Sequence, residues 1–297
     1  MSRFFGSIKT KVFQKTATAN DSDTIPGYSP PTIMAYSATS PVIYKATADG
    51  NSSPAFRFRD SGITNDDDRY AFLSTFDTVF LIDDSGSMTG RSWREARRVL
   101  SQITSVCTAH DVDGVDMYFL NHRSATHRDG GYHNVTDPAA ASRIFGSVSP
   151  RSVTMTGARL WHILRPYVDR VAAAHDVDDV RPVNVIVITD GAPTDDPESV
   201  IVQLARRLDA LDAPLYQVGI QFFQVGSMPD ARDALRHLDD SLTDMGIRDM
   251  VDTATWDGGD RSCGTGVLTA DGILKVVLGA VVRRIDRQRA SNDWPRW

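Results

Sequence analysis

A chain of 297 residues has room for one large α/β domain with a tail, or for two small domains. Its formal net charge of -6 argues against non-specific binding to nucleic acid, and no apolar run approaches the roughly 20 residues that span a bilayer. Two cysteines, Cys107 in an apolar helical stretch and Cys263 in a Gly-rich loop, make no disulfide framework, which points to a reducing compartment. The N-terminus lacks the continuous apolar core of a secretory signal, so an intracellular, cytoplasmic protein is the expectation, and the Asn-x-Ser/Thr patterns at Asn20, Asn51 and Asn134 are read as chance matches.

Residues 1–64 read as a low-complexity N-terminal tail. The first nineteen contain Arg3, Lys9, Lys11 and Lys15 and no acid, with Phe4, Phe5, Ile8, Val12 and Phe13 able to share one helical face. Such a segment can rest on an anionic membrane surface, and it also resembles a mitochondrial transit peptide. The preferred reading is a flexible tail that orders only by packing on the domain. From Thr16 to Thr64 the composition turns to Ser, Thr, Ala, Asn, Gly and Pro, with Pro26, Pro30, Pro31, Pro41 and Pro54; this buries too little apolar surface to fold alone.

The domain is placed at residues 65–290, followed by a C-terminal tail, 291–297. Val79–Ile82 is an apolar strand. Trp93–Ala109 is an amphipathic helix with Val99, Leu100, Ile103, Val106 and Cys107 inward and Arg91, Arg94, Glu95, Arg97 and Arg98 outward. Val115–Leu120 is the second strand. The loop from Asn121 to Asn134 carries His122, His127 and His133 with Arg123 and Arg128. Their spacing is not that of a structural zinc site, and a hairpin turn with a basic rim is expected instead.

Ala139–Phe145 is a short helix, and Leu160–Ala174 a longer one that Pro166 should kink or break. His175–Asp179 reads as a surface turn before the buried run Val183–Thr189. Glu198–Leu211 and Ala231–Leu242 are helices around a strand at Leu215–Gln224. Met250–Asp252 is a short last strand, and a final helix is expected over Ile273–Arg287. This alternation predicts an α/β fold: a doubly wound, mainly parallel six-stranded sheet with helices on both faces. It is not a dinucleotide fold, because no Gly-x-Gly-x-x-Gly and no P-loop pattern occurs.

Chemistry concentrates where the first strand ends. Val79–Ile82 runs into Asp83-Asp84-Ser85-Gly86-Ser87, so one carboxylate and two hydroxyls (Asp83, Ser85, Ser87) follow a strand's carboxyl end. That is where open α/β sheets put their ligands, and oxygen donors of this kind suit a hard cation such as Mg2+. Asp190 closes a second buried strand, and Thr154 lies on a loop leading into a helix. Together these three stretches resemble the metal-ion-dependent adhesion site (MIDAS) of von Willebrand factor type A (vWA) domains, over roughly Phe76 to Arg287. The phrases around Asp83 and around Gln217–Gly226 look closest to intracellular vWA proteins of filamentous fungi.

The resemblance implies a Rossmann-like topology with Ser85 and Ser87 as direct metal ligands and Thr154 as a direct or water-bridged one. Asp83 and Asp190 would act mainly through metal-bound water. Thr156 shares the Thr154 loop; Thr154 is preferred as the first threonine of the family's Thr-x-Thr-Gly form. The orientation of Asp84 stays open, and Asp195 or Asp196 is a candidate for filling the open coordination position from within. The implied ion is Mg2+, with Mn2+ and Ca2+ as alternatives. The implied function is a non-enzymatic, metal-dependent protein-interaction module whose partner is a protein with an exposed Asp or Glu. The alternatives are a scaffold whose MIDAS is structural or empty, and a metal-assisted hydrolase.

Overall fold

The computed structural model describes residues 72–110, 113–226 and 228–255, with the isolated positions 272 and 277. The tail 1–64, the residues up to 71, Cys263, most of the expected final helix and the tail 291–297 lie outside the described residues.

Six strands form one sheet: β1 (Asp77–Ile82), β2 (Val115–Phe119), β3 (Tyr132–Val135), β4 (Val183–Thr189), β5 (Val218–Gln224) and β6 (Val251–Thr255). Their order across the sheet is β3-β2-β1-β4-β5-β6. All neighbours are parallel except β3, which runs antiparallel to β2 at the edge. The sheet is therefore doubly wound and mainly parallel. Every residue of β4 and β5 is buried, which explains why both are mostly apolar and show no regular polar alternation, with only Asn184, Thr189, Gln221 and Gln224 polar.

The described helices are α1 (Arg91–His110), α2 (Pro138–Gly146), α3 (Thr156–Ala173), α4 (Pro197–Ala210) and α5 (Pro229–Asp244). One face of the sheet, with Phe80, Ile82, Met117, Phe119, Ile186 and Ile188, forms a core with Val99, Leu100, Ile103 and Cys107 of α1 and Phe145 of α2. Val277 belongs to the same core. The alternate residues Val79, Leu81, Val185 and Val187 point the other way and are also buried, as are Leu160, Leu164 and Val168 of α3 and Val200, Ile201 and Leu204 of α4.

Local chemistry sets the helix starts. Asp137 accepts hydrogen bonds from the Ala139 and Ala140 N–H groups, with Pro138 at the first helical position. Asp196 does the same for Ser199, with Pro197 at the first position of α4. In each case the cap fills an otherwise orphan donor and the proline removes one.

Two expectations need correction. The helix expected from Leu160 begins at Thr156, because Asp195 from a distant loop caps it. It also runs through Pro166 without a break: the ring sits on the exposed face, while Leu164, Tyr167, Val168 and Val171 stay buried on the other. Among the described residues no helix is long and apolar enough to cross a membrane.

Candidate metal centre

Parallel pairing brings the carboxyl ends of β1 and β4 side by side, with Ile82 opposite Ile188. The pairing continues one step further, where the Asp83 N–H donates to the Ile188 carbonyl at 2.8 Å. Asp83 is fully buried. One of its carboxylate oxygens accepts from the Ser85 N–H at 2.8 Å and the other from the Thr189 hydroxyl at 2.7 Å. The acid thus fixes the turn that follows it and ties that turn to β4.

The turn then presents its hydroxyls. Ser85 Oγ and Ser87 Oγ lie 3.0 Å apart, and Ser87 Oγ donates to Asp190 Oδ1 at 2.8 Å. Met88, buried in the core, anchors the far end of the turn. Three of the five expected residues therefore form one continuous run of oxygens, and Asp83 supports it from below.

The Thr154 loop lies against this run. Its Ser152 carbonyl accepts from the Gly86 N–H at 3.0 Å, and the Thr154 carbonyl accepts from Thr194 N–H at 2.9 Å, so the loop touches both the Ser85 turn and the loop after Asp190. Thr154 and Thr156 are both buried.

The electrostatics fit a cation. Burial pushes the Asp83 carboxyl above its usual range; hydrogen bonds from Thr189 and Ser85 oppose this, and the nearby Asp190 charge adds to it. None of the main influences on Asp83 is a cation, and a second buried carboxylate, Asp190, is near enough to act on it. Oxygen-only donors with this charge excess suit a hard divalent ion. Among the described residues no three His, Cys, Asp or Glu side chains cluster in a way that could hold a metal; the oxygens gathered here are one carboxylate and two serine hydroxyls.

Asp84 points away from this run. It accepts from Asn121 N–H at 2.7 Å, Asn121 Nδ2 at 3.2 Å and His122 N–H at 2.9 Å, so it organises the β2–β3 loop. Asp195 does not fill an open position either: its carboxylate accepts from the Gly157 and Ala158 N–H groups at 3.0 and 2.7 Å. Asp196 caps α4.

The β2–β3 connection is the hairpin that was expected, but its rim is less basic than the sequence suggests. Arg123 folds its guanidinium onto the Phe119, Leu120 and His122 carbonyls at 2.9–3.1 Å. His133 bridges Asp116 and Asp129 at 2.8 and 2.9 Å; the Asp116 hydrogen bond, opposed by burial and helped by Asp129, raises its pKa to about 9. Sequence reading missed Arg159, which is buried in α3. It donates to the Phe119, Asp129 and Gly130 carbonyls at 3.0, 3.1 and 3.4 Å and lies over the Tyr118 ring. Its one signal is a charge on the inward stripe beside Leu160 and Leu164.

The family model of the von Willebrand factor type A domain matches residues 77–248. The chain belongs to the von Willebrand factor type A family. vWA domains are protein-interaction modules, often metal-dependent ones. Among solved structures the chain is similar to the manganese-loaded TRAP protein of Plasmodium vivax, at 16% identity over 62% of this chain and 70% of that one, with a TM-score of 0.39. It is also similar to the SpRpn10 VWA domain, at 12% identity over 61% and 87% of the two chains (TM-score 0.38). A third is the PilB minor pilin of Streptococcus sanguinis, at 9% identity over 75% and 64% (TM-score 0.37). No curated protein matches the chain.

Proposed function

We propose that this vWA domain is a metal-dependent protein-binding module acting through a MIDAS, in a cytoplasmic protein. Ser85, Ser87 and Thr154 would hold a divalent cation directly, and Asp83 and Asp190 mainly through water; Mg2+ is the leading ion, with Mn2+ and Ca2+ as alternatives. When bound, the ion supplies a positive centre whose neutral inner ligands leave charge available to an outside carboxylate. The partner is accordingly a protein with an exposed Asp or Glu.

One observation carries this reading: the run Ser85 Oγ, Ser87 Oγ, Asp190 Oδ1, spaced at 3.0 and 2.8 Å over a buried Asp83. The chain's own residues have plain tasks. Asp83 sets the Ser85 backbone, Asp190 orients the Ser87 hydroxyl, and Asp195 with Thr194 N–H holds the Thr154 loop in register. Both serine hydroxyls are engaged with each other and with Asp190, an arrangement that collects oxygens for a cation. The histidine that would usually activate a nucleophilic serine is not at hand in this run: His122, next to Asn121, is hydrogen-bonded to the Tyr132 hydroxyl at 2.8 Å.

The test uses the full chain immobilised as bait in a cell extract. Proteins retained in Mg2+, released by EDTA and not retained by Ser85→Ala are the expected result. Equal retention in EDTA would favour the alternative, a scaffold whose MIDAS is structural or empty.

A further inference from the structure

The loop that carries Thr154 exposes two side chains for which metal binding has no use. Arg151 is exposed, and Val153 is 51% exposed. The backbone between them is nevertheless fixed at every residue. Arg151 N–H donates to the Asp84 carbonyl at 2.6 Å, and the Ser152 carbonyl accepts from Gly86 N–H at 3.0 Å. The Val153 carbonyl accepts from Asn121 Nδ2 at 3.1 Å. Ser152 sits at φ 72, in the left-handed region, which a non-glycine residue keeps only where its surroundings enforce it. A β-branched side chain held in water on so constrained a loop is a preformed apolar contact, since neither its backbone nor its χ1 is free to withdraw it.

A second exposed hydrophobic stands at the same end of the sheet. Among the described residues four large hydrophobics are exposed: Val153, Leu215, Met228 and Met245. Met228 follows β5 by four residues, and Gly226 between them lies against Asp190, where an added Cβ would stand 3.7 Å from the Asp190 Cβ. Single exposed hydrophobics are ordinary on a surface; what sets Val153 apart is the backbone fixed on every side of it.

The charge on the Val153 side is also unspent. Arg123 is folded onto carbonyls, as described above, whereas Arg151 makes no ion pair among the described residues. Arg151 lies near enough to act on His122, whose pKa is lowered by burial first; the Asp84 charge opposes this, and Arg151 and Arg123 add to it.

We propose that the occupant of this face is an extended acidic segment of a partner protein, which sets an apolar residue against Val153 and a second carboxylate against Arg151, beside the carboxylate that meets the ion. This rests on the carboxylate-binding reading given above. The Arg151 and Thr154 Cα atoms are at most about 10 Å apart along the chain, and a spacing of three residues between the partner's two acids matches that separation. A lysine at the second position would meet Arg151 as a like charge, which discriminates by repulsion as well as attraction.

The experiment uses three fluorescein-labelled peptides in a Gly/Ser background, each made in both chain directions, with the full chain in Mg2+ or in EDTA. The first carries Glu-Leu with Asp three residues beyond the Glu, so that the Leu lies between the two acids as Val153 lies between Arg151 and Thr154; the second replaces the Leu by Ser; the third replaces the Asp by Lys. Fluorescence anisotropy should show the first binding at least tenfold more tightly than either other, in Mg2+ alone. Arg151→Glu should reverse the Asp-over-Lys preference, and Val153→Ser should erase the Leu-over-Ser preference. Both side chains are exposed, so thermal unfolding of the two variants should match wild type, and a matched Mg2+ titration would show that the ion site is unaltered. EDTA-sensitive binding with no preference among the peptides, or no binding of any of them, overturns this proposal. Binding that EDTA leaves unchanged defeats the metal-bridged reading beneath it, and the proposal with it.

Discussion

Asp83 and Asp84 are neighbours, both fully buried, and they serve opposite sides of the same turn. Asp83 holds Ser85 and Thr189 under the oxygen run; Asp84 holds Asn121 and His122 on the next loop. Replacing Asp84 by Ala strands two part-buried backbone N–H groups, each costing up to about 1–3 kcal/mol, the range for a fully buried donor without an acceptor. Asp84→Ala should therefore lower the stability measured by urea unfolding by a few kcal/mol, yet leave Mn2+ affinity in the folded fraction within about twofold. A large loss of Mn2+ affinity at unchanged stability would place Asp84 at the ion. The Asp-x-Ser-x-Ser oxygens were legible in the sequence because their relation is local, within five residues. The direction of Asp84 was not, because it is set by Asn121, 37 residues away. Arg159 escaped notice for the same reason: a buried arginine is an exception to composition rules, and its acceptors come from a hairpin 29–40 residues earlier.

At the scale of the element, α3 links the Thr154 loop to the rest of the fold. Its first turn packs so closely on the start of α4 that a Cβ at Gly157 would lie 2.9 Å from the Asp196 carbonyl oxygen and from Pro197. Gly157→Ala should thus cost about 1–3 kcal/mol, the usual range for overpacking, and should weaken Mn2+ binding by displacing Thr154; calorimetry beside urea unfolding measures both. Unchanged stability would show that the two helix starts yield easily. Pro166 is the opposite case. Its missing N–H leaves the His162 carbonyl without an in-helix donor on an exposed face, so Pro166→Ala should stabilise the domain by up to about 3 kcal/mol, and an unchanged or lower urea midpoint would contradict this. The strands other than β3, and most helices, were readable from apolar runs and helical spacing; Tyr132–Val135 falls mostly in the stretch read as a loop, because its polar sequence carries no strand signal. The start of α3 was not, since Thr156-Gly157-Ala158-Arg159 carries no apolar stripe and is helical because Asp195 receives its N–H groups.

For the molecule as a whole, the alternation of strand and helix was enough to foresee one doubly wound sheet, and β3 departs from the parallel pattern because a hairpin, not a helix, joins it to β2. That hairpin gives the domain a stability that depends on pH. His133 has a folded pKa of about 9, above the ordinary value near 6.5, so it binds its proton more tightly in the folded chain. Its contribution is fully present below about pH 6.5 and is lost as pH rises through about 9. Thermal midpoints of wild type should fall across that window relative to His133→Gln, and parallel curves for the two proteins would contradict the bridged Asp116–His133–Asp129 arrangement. The central claim is that Ser85, Ser87, Thr154, Asp83 and Asp190 form one cation site, and titration calorimetry of Mn2+ and Mg2+ into metal-stripped wild type and Asp190→Ala tests it most directly. Such a site binds one ion per wild-type chain and at least tenfold more weakly in Asp190→Ala, with the two proteins unfolding at similar urea concentrations in EDTA; equal affinity in both proteins, or no binding to either, would contradict it.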